Sequence, residues 1–421
     1  MTATTEHASL TQPPASPTAT QAVVAGLVAL AVAMGIGRFA FTPLLPMMLA
    51  DGVVNLDAAS WLASANYLGY LIGALLCTFQ PLLWRMLRIT QPPNGPALVR
   101  GGLAATAVLT LGMALPAPSA WPALRFAAGI ASALVFVFAS GWCLAQLARL
   151  ELPSMGALIY IGPGAGIVLS GLAASLMVAW HGSAALGWGV FGVLAAALSA
   201  FIWPVFASQA ARPGGSPAAS SQAAAAPATL ERRGEVPLLA GAYGLAGFGY
   251  IITATFLPVI ARQSMPGSPW LDLFWPIFGV GVMTGAALAS RVRGPGDQRL
   301  RLAACYFVQA LGILVGLWSP TPAGFAIGSL LLGLPFTAIT FFALQEVRRL
   351  RPASPSGLTG LITALYGLGQ IVGPPLATAL LARSAGTGRG FAPSLEIAAG
   401  ALLLGAVVFV SMSRVYPVNV R

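Results

Sequence analysis

The stretch Gly35-Ile-Gly-Arg-Phe-Ala-Phe-Thr-Pro-Leu-Leu-Pro46 sets one arginine inside an apolar run, and half a chain later its frame returns. At an offset of 212, Gly35, Gly37, Leu45 and Pro46 recur as Gly247, Gly249, Leu257 and Pro258. Gly69, Gly73 and Ala74 match Gly281, Gly285 and Ala286 at the same offset, and Gly162-Pro163 matches Gly373-Pro374 with one residue of slippage. A chain rich in Ala, Gly and Leu yields identities by chance, so the weight rests on the distinctive Gly and Pro positions. They imply two parallel copies of one unit.

Composition says where such units sit. Of 421 residues 57% are apolar and only 7% charged, against about 25% charged in soluble domains. Thirty-one charged side chains cannot cover a 42.9 kDa globule in water, and the mean hydropathy is +0.83. The chain reads as all-α and integral to a membrane. A window of about 20 residues crosses about 30 Å of hydrocarbon. Such a window finds twelve spans, at 22–49, 59–81, 101–117, 121–147, 153–179, 184–206, 237–261, 270–290, 302–319, 323–345, 357–382 and 395–412.

The net charge of +11 comes from 21 basic residues, all arginine. They lie mostly in short connections, which fits the positive-inside rule and not a phosphate-binding surface, so no nucleic acid is expected. With the amino terminus inside, sixteen arginines fall on inner segments, and only Arg262, Arg383 and Arg389 fall on outer ones. Both termini are therefore expected in the cytoplasm, with a bacterial inner membrane as the location. The expected plan is a disordered tail over 1–20, a six-helix bundle over 21–207, a cytoplasmic linker over 208–236 rich in Ala, Pro, Ser and Gly, a second bundle over 237–413 and a tail over 414–421. Cys77, Cys143, Cys305, His7 and His181 have no metal-ligand spacing, and no cofactor is expected.

Polar side chains within spans stay where protein or a water-filled cavity shelters them. Span 11 carries Thr359, Thr363, Tyr366 and Gln370 on one helical face; span 7 carries Tyr243, Tyr250 and Thr253; span 2 carries Asn66 and Tyr70, with Tyr67 beside them. Arg38 lies about 24 Å of rise from the inner boundary. An arginine at such depth costs about 2.5–3.5 kcal/mol on insertion scales and usually pairs or marks a solute path. Arg125 stands near the outer start of span 4, and no acidic residue lies at comparable depth. Two planar guanidinium groups without a carboxylate suit an anion. The expected solute site is Arg38, Arg125, Asn66, Tyr70, Tyr243, Tyr250, Tyr366 and Gln370. Interhelical glue is the alternative for any one of these side chains.

Gly35 to Pro46, followed by Trp61-Leu-Ala-Ser-Ala-Asn-Tyr-Leu-Gly-Tyr70, resembles the YbfB/YjiJ-type branch of the major facilitator superfamily. Arg125-Phe-Ala-Ala-Gly129-Ile-Ala-Ser-Ala133 is similar to the superfamily's span 4 signature, linked with substrate or proton handling. Gly162-Pro163-Gly164-Ala165-Gly166 resembles the span 5 signature commonest among exporters. Proline removes a helix hydrogen bond and glycine permits backbone contact, so Gly162, Pro163, Gly166, Gly373 and Pro374 are the expected hinge or gating positions. The resemblance implies that spans 1, 4, 7 and 10 line a central cavity. The loop between spans 2 and 3, Leu83-Trp-Arg-Met-Leu-Arg88, lacks the acidic member of the usual gate signature, which puts a standard charge-relay gate in doubt.

Together these features suggest a secondary transporter of a small organic anion. Two bundles would alternate access to a midplane site, and a proton or an exchanged anion would be the coupling species. The alternative is an exporter of amphipathic or drug-like compounds, which calls for a buried acid. Enzyme chemistry lacks its base, nucleophile or metal cluster. A monomer in the bilayer is expected.

Overall fold

The computed structural model describes residues 17–89, 93–210, 234–292, 296–352, 355–384 and 388–418. Twelve helical spans account for nearly all of them: Ala19–Ala50, Leu56–Met86, Gly95–Gly112, Trp121–Arg149, Ser154–Ala179, Ala184–Ala210, Glu235–Ser264, Phe274–Arg291, Gln298–Trp318, Pro322–Leu350, Pro355–Arg383 and Ala392–Val415, numbered 1 to 12 in that order. Eleven are long and apolar enough to cross a membrane. Span 8, Phe274–Arg291, is 18 residues long and completes the second set of six. The protein is a multi-pass, all-helical membrane protein. Most of the tail expected over 1–20 and of the linker expected over 208–236 lies outside the described residues.

Polar side chains set several starts. Thr18 and Gln21 form a reciprocal capping box at span 1, Asn55 accepts from the Ala58 amide at 2.8 Å, and Thr321 accepts from the Gly324 amide at 3.1 Å. Span 3 begins at Gly95, earlier than its hydropathy suggests, because Asn94 accepts from the Ala97 amide at 3.0 Å and Pro96 follows in the first turn. Arg100 is thereby drawn inside the helix, its guanidinium 4.4 Å from the Trp203 ring.

Packing repeats the sequence symmetry. Within the first set span 2 packs on span 4, span 1 on span 5 and span 3 on span 6; within the second, span 8 packs on 10, span 7 on 11 and span 9 on 12. Between the sets, span 2 meets span 11 and span 5 meets span 8, which is one contact made twice. Burial sorts the helices. Spans 1 and 7 are 83% buried over their apolar windows and spans 4 and 10 are 56% buried, against 33% for spans 3, 6 and 11. The centre therefore belongs to spans 1, 7, 4 and 10, while spans 3 and 6 present most of their apolar windows outward.

Three spans are interrupted. Span 1 changes from α-helix to π-helix over Ala31–Arg38 and resumes at Phe41, span 5 passes from a 3-10 turn to α-helix at Ile161, and span 10 breaks between Gly333 and Phe336. The cause in span 1 is local: Pro43 has no amide hydrogen to offer the Phe39 carbonyl, which accepts from Thr42 instead at 3.2 Å. The Phe39 amide reaches back five residues to Met34, at 3.1 Å.

Candidate functional site

The interruption in span 1 delivers Arg38 to the centre. Its side chain is 3% exposed, its Nη2 donates to Gln370 Oε1 of span 11 at 2.7 Å, and its Nε has no hydrogen-bond partner. The guanidinium lies 4.1 Å from the centre of the Tyr70 ring, 5.3 Å from Tyr67 and 5.4 Å from Phe39. Ring faces are negative, so they moderate the cost of a buried cation without neutralising it. Among the described residues no ion pair includes Arg38 or Arg125.

Arg125 is also buried, but its partners are main chain. It donates to the carbonyls of Gly37 at 3.2 Å and Arg38 at 3.1 Å, at the turn where the π-helix ends. Span 4 thus holds the backbone that carries Arg38. Asn66 also bridges helices, its Nδ2 donating to the Arg125 carbonyl at 2.9 Å while its Oδ1 is buried without a hydrogen-bond partner.

The second half supplies the opposite wall. Tyr243 and Tyr366 have ring centres 4.8 Å apart and planes at 30°; Tyr366 and Tyr250 are 5.9 Å apart at 24°. Tyr250 packs edge-on to Phe336 of span 10 at 5.1 Å. Gln370 donates to the Tyr250 hydroxyl, which completes a chain Arg38–Gln370–Tyr250 from one half to the other. The residues expected from sequence are thus brought together around Arg38, except that Arg125 and Asn66 face span 1 and span 4 backbone. Tyr67, Phe39 and Phe336 belong to the same cluster. The three-residue step from Tyr67 to Tyr70 was the available signal for the first of them.

Among the described residues, several hydrogen bonds between the halves lie at the depth of Arg38 or toward the span ends away from the chain termini. Thr42 donates to the Ala254 carbonyl at 2.9 Å, Tyr67 and Thr255 share a hydroxyl contact at 2.8 Å, and Ser64 donates to the Ile371 carbonyl at 2.8 Å. Nearer the ends away from the termini, Thr378 meets Ser60 at 3.4 Å and Ser175 donates to the Asp272 carbonyl at 3.0 Å. Every residue of span 1 from Ala29 to Met48 is buried, whereas Tyr70 and Tyr366 keep partial access.

At the expected hinge positions, Gly162 and Gly166 lie against span 1. A methyl group at Gly166 would fall 2.4 Å from the Ala31 carbonyl oxygen, so only glycine permits this approach. Pro163 stands just after the change from 3-10 turn to α-helix. Gly373 meets Ile251 of span 7, and Pro374 lies within the continuous span 11. A feature passed over at the sequence level is a buried ion cluster where the start of span 7, the start of span 9 and the end of span 10 meet, formed by Glu235, Asp297, Arg299, Glu346 and Arg349.

A family model described as the uncharacterised MFS-type transporter YbfB matches residues 30–410. Two solved structures of the nucleoside transporter NupG share the fold. A point mutant is 16% identical with a TM-score of 0.68, and the match covers 94% of this chain and 99% of that one. The second is 15% identical with a TM-score of 0.63, covering 94% and 98%. The search of curated proteins returned no match.

Proposed function

The chain belongs to the YbfB-type family of major facilitator superfamily transporters, and from that premise we propose that its cargo is a small organic anion bound at Arg38. It is a transporter and not an enzyme. The observation that carries the anionic reading is Arg38 itself: a buried cation whose hydrogen-bond partner, Gln370, is neutral and whose Nε is unfilled. A carboxylate arriving there gains a charge-assisted contact that the amide cannot match. It would do so by displacing an amide oxygen held by the other half of the molecule.

That displacement supplies the coupling between binding and movement. The Arg38–Gln370 bond crosses from span 1 to span 11, alongside the contacts that close the outer side. A solute that takes Arg38 from Gln370 weakens one inter-half bond while satisfying a buried charge, so it binds the two arrangements of the halves unequally. Only such differential binding shifts a conformational equilibrium. Arg125 acts by positioning, since it holds the Gly37 and Arg38 carbonyls. No carboxylate or histidine at the depth of Arg38 is present among the described residues to carry a proton, which favours exchange of anions or co-movement of the solute's own proton. A cationic drug would meet no acid there.

A nucleoside, named for the two solved neighbours, is the second reading. The stacked tyrosines and the Gln370 amide favour it, and the uncompensated charge of Arg38 does not.

The test is a counterflow screen in proteoliposomes with small carboxylates and neutral solutes. Arg38→Gln should abolish carboxylate flux while the protein still inserts and elutes as a folded species. Near-normal flux in that variant removes the anionic role, and flux confined to neutral nucleosides selects the second reading.

A further inference from the structure

Three hydroxyls that cross from the first half to the second share one kind of acceptor. Thr42 of span 1 donates to the Ala254 carbonyl at 2.9 Å, Ser64 of span 2 to the Ile371 carbonyl at 2.8 Å and Ser175 of span 5 to the Asp272 carbonyl at 3.0 Å. Four residues beyond those acceptors stand Pro258, Pro375 and Pro276. A helical carbonyl accepts from the amide four residues on, and proline has no amide hydrogen to give. We infer that these prolines turn three carbonyls of the second half into a latch for hydroxyls of the first, and that the latch holds the halves together on the side away from the chain termini. The inference goes beyond the reading of the solute and does not depend on its charge.

A freed carbonyl inside a membrane protein is served by a neighbouring side chain or by ordered water, and left bare it is costly. Pro258 and Pro375 lie within spans 7 and 11, and Pro276 is the third residue of span 8, so the carbonyl of Asp272 just ahead of that helix also lacks its amide. Thr42, Ala254 and Ser64 are buried. Parting the halves there strands the acceptors until water enters between them, so opening of this side requires hydration of the seam. Ser175 also donates to the Gly171 carbonyl of its own helix at 2.9 Å, which makes it the weakest of the three.

The bonds run one way for a reason visible in the repeat. At the offset of 212, Thr42 matches Ala254 and Ser64 matches Pro276. Where the first half carries a donor, the second carries an acceptor without a hydroxyl, or a proline. The three bonds join span 1 to span 7, span 2 to span 11 and span 5 to span 8, helix pairs along which the halves pack. Prolines placed for helix shape alone have no tie to the partner half, whereas here each of the three acceptors lies at the position that a proline vacates.

The experiment is double electron–electron resonance on the full-length protein in lipid nanodiscs. Spin labels go on Asp57→Cys and Arg383→Cys, exposed at the ends of spans 2 and 11 away from the termini, after Cys77, Cys143 and Cys305 are replaced by alanine. Thr42→Val and Ser64→Ala should each raise the ratio of parted to closed populations about fivefold, the equivalent of one hydrogen bond, and Ser175→Ala should raise it less. Thr110→Val should not move it, since that hydroxyl donates to the Thr106 carbonyl of its own helix at 2.7 Å. Pro375→Ala gives the Ile371 carbonyl an amide, so it should raise the ratio by itself and leave Ser64→Ala little to add. Thr42→Val and Ser64→Ala indistinguishable from Thr110→Val would overturn the latch. A full fivefold gain from Ser64→Ala on top of Pro375→Ala would overturn the part given to proline. Should Pro375→Ala not fold, Pro258→Ala with Thr42→Val makes the same cycle, and the hydroxyl variants need no proline change.

Discussion

On the face that carries the chain termini, the span ends of the two six-helix halves are fastened by different chemistry. In the second half Arg299 is fully buried and donates to Asp297 at 2.7 and 2.8 Å, to the Met412 carbonyl at 3.0 Å and to Glu235 at 3.5 Å; Arg349 adds bonds to Glu346 at 2.7 and 2.9 Å and to Glu235 at 3.3 Å. Spans 7, 9, 10 and 12 are thus joined through one guanidinium. In the first half the corresponding ends meet through the Trp142 and Phe206 rings, centres 4.8 Å apart, the Arg100 contact on Trp203, and a Cys143 thiol against the Ala22 carbonyl at 3.3 Å. A buried ion cluster is all or none, because removal of one member strands the others in low dielectric. Ring contacts degrade by degrees. One half should therefore respond to mutation abruptly and the other gradually.

The largest expected effect follows from stranding the carboxylates. Arg299→Ala should destabilise the second half by about 3–5 kcal/mol, read as a fall in the melting temperature of the detergent-purified protein. Pairing it with Glu346→Ala should cost less than the sum of the two single changes. Strict additivity there would break the contrast. A smaller effect is expected across the molecule: the double cycle Trp142→Leu with Phe206→Leu should give a coupling of about 0.5–1.5 kcal/mol. A coupling as large as that at Arg299 would make the halves alike.

The architecture was legible because hydropathy and the Gly and Pro positions report on lipid and close backbone approach. Arg38 was legible for the same reason, since a charge inside an apolar run has to be accounted for by the fold. The ion cluster was not, because Glu235, Asp297, Arg299, Glu346 and Arg349 each lie near a span boundary, where a charge is ordinarily solvated, and only three-dimensional packing brings them together. Arg125 shows the limit from the other side. The lack of a nearby carboxylate and the span 4 signature marked it for solute, yet nothing in the linear pattern says that the helix break at Phe39 turns the Gly37 and Arg38 carbonyls toward it. The hydroxyl partners of Tyr67 and Tyr243 depend likewise on the pairing of helices from different segments.

The smallest expected effect separates the halves by pH. Asp297, at the start of span 9, is partly buried, which pushes its carboxyl up. Hydrogen bonds from the Arg299 side chain and amide, with the charges of Arg299 and Arg349, outweigh this and hold it below the usual aspartate range. A carboxyl depressed in the folded state contributes stability that is complete above its unfolded value, about 3.9, and is lost as pH falls through the lower folded value. Glu235 and Glu346 face the same two arginines. Asp297→Asn should lower the melting temperature modestly at neutral pH and flatten its fall below about pH 4. Phe206→Leu should shift the curve without changing its shape, since no titrating group takes part in that contact. An unchanged acid limb in Asp297→Asn would mean that Arg299 draws its stability from Glu235, Glu346 and the Met412 carbonyl, leaving Asp297 as a helix cap.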